Sequence, residues 1–326
     1  MRLALLPAVL FPLFLSAPKA HADTLIVLRK PIGCAMGQTC LIQQYVDHDP
    51  GPGAVDYRCG IASYDHHDGT DFRIPDKVAQ GRGVNVLAAA DGVVRAVRDG
   101  QSDFAVGAFN AAKVKGIECG NGVVIDHGDG WQTQYCHMRQ GSVRVKPGDR
   151  VTAGTALGLV GQSGDAAFPH LHLTVRLNGQ AVDPFAFGGA TCGTGQSLWR
   201  QEDRAELAYG DTQVLNAGFA TAAVPADDVE RGMIAAPDRR SRALTLYVRA
   251  INLREGDVQS LSLKGPDGLL AQTQSPPLDH SKAQYQLFVG KKLGAVQWPA
   301  GTYTGTYTVT RDDKTVVTKT ITTVLK

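Results

Sequence analysis

Three short motifs carry side chains able to hold a metal ion and move protons. His67-Asp68-Gly69-Thr70-Asp71 is an HxxxD followed by Phe72 and Pro75. Gly69 within it and the proline just after it disfavour a helix, so a loop leading into a strand should bring His67 and Asp71 toward one ion. His66 stands one residue off that spacing and is expected to be exposed or to sit beside the ligand set. His170-Leu171-His172 opens an apolar run. The strand period of two puts both imidazoles on one face, roughly 6.5–7 Å apart, and turns Leu171 into the core. Such a pair suits one ligand and one neighbour just outside the coordination shell. Tyr135-Cys136-His137 ends another strand, where a regular backbone makes Cys136 face away from His137 and assigns it to a disulfide.

Two histidines and a carboxylate give zinc three protein ligands and leave a fourth position for water, the usual open site of a hydrolase. Zinc brings the pKa of that water toward ~7 and polarises a scissile carbonyl, while nearby imidazoles take the proton or hold the developing oxyanion. Other chemistries find little support. No GxxxxGK[ST] phosphate loop occurs, and Ser163 lies in GxSG but lacks the GxSxG elbow of a serine hydrolase. His127 reads as a turn residue at a strand end, and His48 and His280 as solvated.

The elements that must position these residues are short strands. Residues 84–90, 92–98, 122–127, 131–137, 156–160 and 170–177 are apolar or alternating runs, separated by turn signals such as Asp91-Gly92, Asp129-Gly130 and Asn178-Gly179. They predict a compact antiparallel β domain. Some twenty residues, 99–119, interrupt the pattern as an inserted loop with room for a short helix. Past Pro184 and Cys192 the pattern weakens, and residues 201–210 read as a solvated linker. A second β region follows over 211–326, where Leu244, Leu246 and Val248 alternate, as do Tyr285, Leu287 and Val289, and Asp312-Asp313 reads as a hairpin turn. By pattern it resembles an immunoglobulin-like sandwich. The fold class expected for the whole is all-β.

Several motifs together resemble the lysostaphin-type zinc metalloendopeptidases. They are His67-x-Gly69-x-Asp71-Phe72, Tyr135-x-His137, the Lys146-Pro147-Gly148-Asp149-x-Val151 and Gly158-x-Val160-Gly161-x-Ser163-Gly164 turns, and His170-Leu171-His172 followed by Val182-Asp183-Pro184. The match covers residues 60–187, inside a peptidase region of 23–200 that includes an N-terminal extension. The resemblance implies an antiparallel β fold with a groove over one zinc ion, and cleavage of peptide bonds in peptidoglycan stems or cross-bridges. It makes His67, Asp71 and His172 the zinc ligands and His137 and His170 the catalytic histidines. The insertion, the cysteines, and a cysteine where Tyr-x-His often has a small residue depart from the pattern and bear on substrate preference. A non-catalytic envelope protein that binds the wall or activates a partner hydrolase is expected to lose ligands, and none is lost here. An endopeptidase acting on proteins would look the same in sequence. Because the motifs are complete by Pro184, residues 211–326 are expected to form an independent accessory domain.

Export frames this reading. Arg2, an apolar run over residues 3–15 and Ala20-His21-Ala22 have the layout of a secretory signal cleaved after Ala22, with a run too short to span a membrane. The remaining chain is then periplasmic or secreted, with no membrane span. All six cysteines lie beyond that segment, and none is spaced CxxC, so three disulfides are expected. Cys34 with Cys40 closes a local loop, and Cys59 with Cys119 and Cys136 with Cys192 complete the set. Against 31 acidic residues, 33 basic ones give a net charge of +2, far from the excess needed to neutralise many phosphates, so nucleic acid is not an expected partner. Oligomeric state leaves no mark in the sequence.

Overall fold

The computed structural model describes residues 25–107 and 111–326, and the expected signal segment lies outside the described residues. The first region contains β1 (Leu41–Gln44), β2 (Thr70–Arg73), α1 (Lys77–Arg82), β3 (Asn85–Leu87), β4 (Gly92–Arg98), β5 (Asn121–Gly128), β6 (Trp131–Met138), β7 (Arg150–Val151), β8 (Ala156–Leu159), β9 (His170–Leu177) and β10 (Gln180–Val182). One sheet runs β1-β2-β9-β6-β5-β4-β7, with β10 on β9, and β3 pairs with β8. Every pairing among these strands is antiparallel.

The alternation in sequence explains which face each strand buries. On β6, Trp131, Thr133 and Tyr135 are buried while Gln132 and Gln134 are only partly so. β9 is central, flanked by β2 and β6. Its Leu171, Leu173 and Val175 enter the main core with Phe72, Val123, Ile125, Tyr135 and Trp199. His170, His172 and Thr174 therefore share the opposite face. One strand thus packs the core with one face and presents the candidate site with the other.

The insertion is folded onto this frame. It contains a 3-10 turn, Ala111–Val114, and Asp103 accepts from the backbone N–H groups of Gln140 and Gln162 at 2.9 and 2.6 Å. The expected Cys34–Cys40 bridge is present, but the other two pair as Cys59–Cys192 and Cys119–Cys136, which corrects the expectation. Proximity decides it. Cys119 precedes β5, which pairs with the strand that carries Cys136, and their Cα atoms lie 4.8 Å apart. The backbone N–H of Gly193 binds Tyr57 O at 2.6 Å, which brings the chain beside Cys192 back to the loop of Cys59.

The second region contains β11 (Gln213–Ala220), α2 (Ala226–Arg231), β12 (Ala243–Leu253), β13 (Val258–Gly265), β14 (Gly268–Gln274), β15 (Lys282–Lys292), β16 (Gly301–Arg311) and β17 (Lys314–Leu325). A three-stranded sheet β11-β12-β15 faces a four-stranded sheet β14-β13-β16-β17. Leu244, Leu246 and Val248 of the first meet Leu261, Leu263, Tyr303, Tyr307 and Val309 of the second in one core, as two stacked sheets require. Asp312 and Asp313 both have positive φ and form the two-residue turn read from sequence. The two regions touch: Leu41 clusters with Leu215 and Ile251, and Asn252 Nδ2 donates to Gln43 O at 3.0 Å.

Candidate metal centre

β2 and β9 run side by side with Asp71 directly opposite His172 and Arg73 opposite His170. The loop before β2 carries His67 back over Asp71. Gly69 makes this possible, since a Cβ there would lie 2.5 Å from His172 Nε2 and 2.7 Å from Leu173 O. His67, Asp71 and His172 are all buried. Their atoms form a triangle: His67 Nε2 to Asp71 Oδ1 is 3.3 Å, His67 Nε2 to His172 Nδ1 is 3.2 Å, and His172 Nδ1 to Asp71 Oδ1 is 3.0 Å.

The outer nitrogens of both rings are occupied. His67 Nδ1–H donates to Tyr45 O at 2.7 Å, and His172 Nε2–H is shared between Asp68 Oδ1 at 3.2 Å and Thr174 Oγ1 at 3.0 Å. With those protons placed outside, His67 Nε2 and His172 Nδ1 point inward, toward a carboxylate oxygen and each other. Such a triangle calls for positive charge within it, a metal ion or a further proton. Tetrahedral zinc with bonds of roughly 2.0–2.1 Å separates its ligands by about 3.4 Å, so these side chains fit the ion as they stand. The carboxylates draw positive charge to the same spot: burial opposes a charge on His172, but hydrogen bonds with Asp68 and Asp71 push its pKa up to about 9. Burial likewise works against ionised Asp71, yet the neighbouring His67 and His170 hold its carboxyl well below the usual range.

Two further imidazoles stand beside the triangle. The rings of His137 and His170 are 4.5 Å apart, and His170 Nε2 lies 3.5 Å from Asp71 Oδ1. Each donates Nδ1–H to a backbone carbonyl, His137 to Ser163 O and His170 to Phe168 O, both at 2.8 Å. Burial, reinforced by the nearby rings of His170 and His172, holds His137 well below its ordinary pKa. Burial also lowers His170, against the pull of Asp71. Both are therefore neutral near pH 7, with Nε2 free to accept a proton.

A groove of about 260 Å³ fronts the centre, walled by Tyr64, Asp68, Glu118, Asp165 and Arg176 together with the Cys119–Cys136 disulfide. Cys136 and His137 both face it, contrary to the alternation expected of a regular strand. His137 has φ +60°, which breaks the strand period at that residue. His66 is exposed, its side chain 86% accessible, and stands outside the triangle. His127 is structural, bonded to Asp91 O and Thr133 Oγ1. His48 is not solvated: its Nε2 pairs with buried Asp183 Oδ2 at 2.8 Å. His280 is exposed. Ser163 is buried, and its hydroxyl donates to Met138 O. Sequence reasoning overlooked Asp68 and Thr174 as partners of His172. Thr174 continues the period of two begun by His170 and His172, and Asp68 lies inside the HxxxD motif, so both left a trace there.

Residues 65–184 match the profile of Peptidase family M23. This segment is an M23 peptidase domain. Over 117 aligned residues the chain is 33% identical to peptidoglycan DD-endopeptidase ShyA of Vibrio cholerae, covering 36% of this chain and 22% of ShyA. Identity is also 33% over 118 residues to DD-carboxypeptidase/endopeptidase Mpg of Neisseria gonorrhoeae, over 36% of this chain and 22% of that protein. The match thus spans about a fifth of the length of these curated relatives. Among solved structures, the catalytic domain of lysostaphin from Staphylococcus simulans aligns at 25% identity and a TM-score of 0.28, over 43% of this chain and 85% of that one. The M23 segment contains all five residues of the centre, and β1, which extends its sheet, lies before it.

Proposed function

We propose that this chain is an exported zinc metalloendopeptidase that hydrolyses peptide bonds in peptidoglycan stems or cross-bridges, with one zinc on His67, Asp71 and His172. The observation that carries the reading is the inward triangle of ligand atoms, buried, 3.0–3.3 Å from one another and held in place by hydrogen bonds on the outer side of each ring. The naming of ShyA and Mpg as peptidoglycan or DD-endopeptidases supports the choice of substrate. Three disulfides suit an oxidising compartment, and no described helix is long and apolar enough to cross a membrane.

Bound zinc would polarise the scissile carbonyl and acidify a water. The rest falls to the chain's own groups. Asp68 and Thr174 hold His172 in the tautomer that turns Nδ1 inward, and Tyr45 O does the same for Nε2 of His67. His137 and His170, kept neutral by burial and fixed at Nδ1, offer Nε2 as the base that takes a proton from the attacking water. Once protonated, the same Nε2–H can be given to the departing amine or directed at the oxyanion. The groove confines the peptide, with Tyr64 stacked on His67 at 4.3 Å between ring centroids.

Digestion of purified peptidoglycan, followed by mass analysis of the fragments, tests this. Cross-linked fragments should be converted to species with new amine and carboxyl ends, in a reaction stopped by a chelator and restored by zinc. Intact cross-links and stems after incubation with the zinc-loaded chain would refute the reading.

A further inference from the structure

The second region reaches the flank of the metal centre through a buried charge. α2 docks on α1 so closely that a Cβ on Gly232, at the end of α2 with φ +67°, would lie 2.1 Å from Val78 Cγ2. Glu230, near the end of α2, then faces β2. Its Oε2 accepts from Arg73 Nη2 at 3.1 Å and from Arg249 Nη1 of β12 at 2.6 Å. Arg249 also donates to Pro75 O at 2.6 Å and to Asn216 Oδ1 at 2.9 Å. Both arginine side chains are only 1% accessible. Charges this deep are costly unless paired, and here two cations depend on one carboxylate.

Arg73 shares the site's face of β2 with Asp71 and lies opposite His170. Its Cζ stands 3.9 Å from the centroid of the Phe168 ring, a cation–π contact. That ring is 4.8 Å from the ring of His170, and Phe168 O is the acceptor that fixes His170 Nδ1–H. Glu230, Arg73, Phe168 and His170 therefore form an unbroken series of contacts from the second region to the candidate metal centre.

We propose that Glu230 is a positioning residue for His170: by holding the Arg73 guanidinium on Phe168, it fixes the carbonyl and ring that orient the imidazole, so that the C-terminal sandwich completes the peptidase site. The inference rests on the reading of His170 as a proton-transfer group. Without Glu230 the two guanidinium groups repel each other, Arg73 keeps only Gln43 Oε1 as a side-chain hydrogen-bond partner, and its guanidinium shifts on the Phe168 ring that it pins. Displacement of a reacting group by about 1 Å can cost on the order of 100-fold in rate. A loosened rather than lost imidazole should cost about tenfold.

The test uses the full zinc-loaded chain and one soluble cross-linked muropeptide. Glu230→Ala and Phe168→Leu should each lower kcat about tenfold, with KM within about twofold and one zinc retained. The double variant should lose no more than the worse single one, because both changes break the same series. Phe168→Tyr, which keeps the ring, should stay within about twofold of wild type. In imidazole NMR, the His170 Nδ1–H signal should be slow to exchange in the wild type and lost or broadened in Glu230→Ala. Wild-type kcat in Glu230→Ala, or losses that multiply in the double variant, would overturn the proposal. Should the wild type cleave nothing, the catalytic reading fails by itself, and the NMR signal decides this one: an unchanged His170 N–H in Glu230→Ala overturns it.

Discussion

Replacing Asp68 by alanine should weaken zinc binding by about tenfold without abolishing it. In the structure Asp68 Oδ1 accepts from His172 Nε2–H at 3.2 Å and thereby helps keep Nδ1 aimed at the triangle. Loss of such an outer partner typically costs about 10–100-fold in metal affinity. Three features place this case at the low end. Thr174 Oγ1 accepts from the same N–H at 3.0 Å and remains in the variant. The Asp68 side chain is 50% exposed, so water screens its charge. Asp68 also stabilises the proton that competes with zinc for His172, and its removal weakens that competitor as well. The net is about 1.4 kcal/mol at the metal. Asp68→Asn, which keeps an acceptor and loses the charge, should fall between alanine and wild type. Competition with a chromophoric chelator at fixed pH reads the affinity directly. An alanine variant within twofold of wild type would show that Asp68 does not orient His172. A loss well beyond 100-fold would show that it is itself a ligand.

Other consequences follow from the same geometry. His137→Ala and His170→Ala should each keep one zinc and lose on the order of 100-fold or more in kcat, as proton-transfer groups do; metal analysis beside steady-state kinetics checks both halves, and wild-type turnover in either variant removes that residue from the chemistry. The hydrogen bond to Asp183 raises the pKa of His48 against the opposing effect of burial. Its stabilisation is then fully present below the unfolded value of ~6.5 and fades as pH rises through the raised folded value, so the difference in Tm between wild type and His48→Gln should shrink across that window. A difference independent of pH would contradict it. Denatured but unreduced protein should show no reactive thiol, and two or more would contradict the three bridges. Removing the Cys119–Cys136 bridge by double serine substitution should cost about 3 kcal/mol, the loop-closure value for a 17-residue separation, measured by denaturant unfolding.

Local signals in the sequence located much of this arrangement. The strands of the first region follow from alternation, and the HxxxD, Tyr-x-His and His-x-His motifs put five residues on elements that the structure brings into one cluster. Pairings across long separations escaped. Cys59 meets Cys192 and His48 meets Asp183, contacts 133 and 135 residues apart that no local pattern encodes. Cys136 fronts the groove beside His137 because one residue takes a left-handed conformation, which a period-two argument cannot foresee. β1 was missed because its four residues, Leu41–Gln44, give too short a pattern, although it pairs with the strand of Asp71. In the second region β13 and β14 were overlooked because serine and glutamine alternate with leucine at a glycine-rich turn, which dilutes the apolar signal. The buried Arg73–Glu230–Arg249 group spans both regions and has no sequence signature.

The central claim is that three named atoms hold one zinc, and anomalous diffraction at the zinc edge tests it most directly. Crystals of the chain grown with stoichiometric zinc should give a single peak roughly 2.0–2.1 Å from His67 Nε2, an Asp71 carboxylate oxygen and His172 Nδ1. A peak on other side chains, or none between these atoms in a protein saturated with zinc, would contradict it.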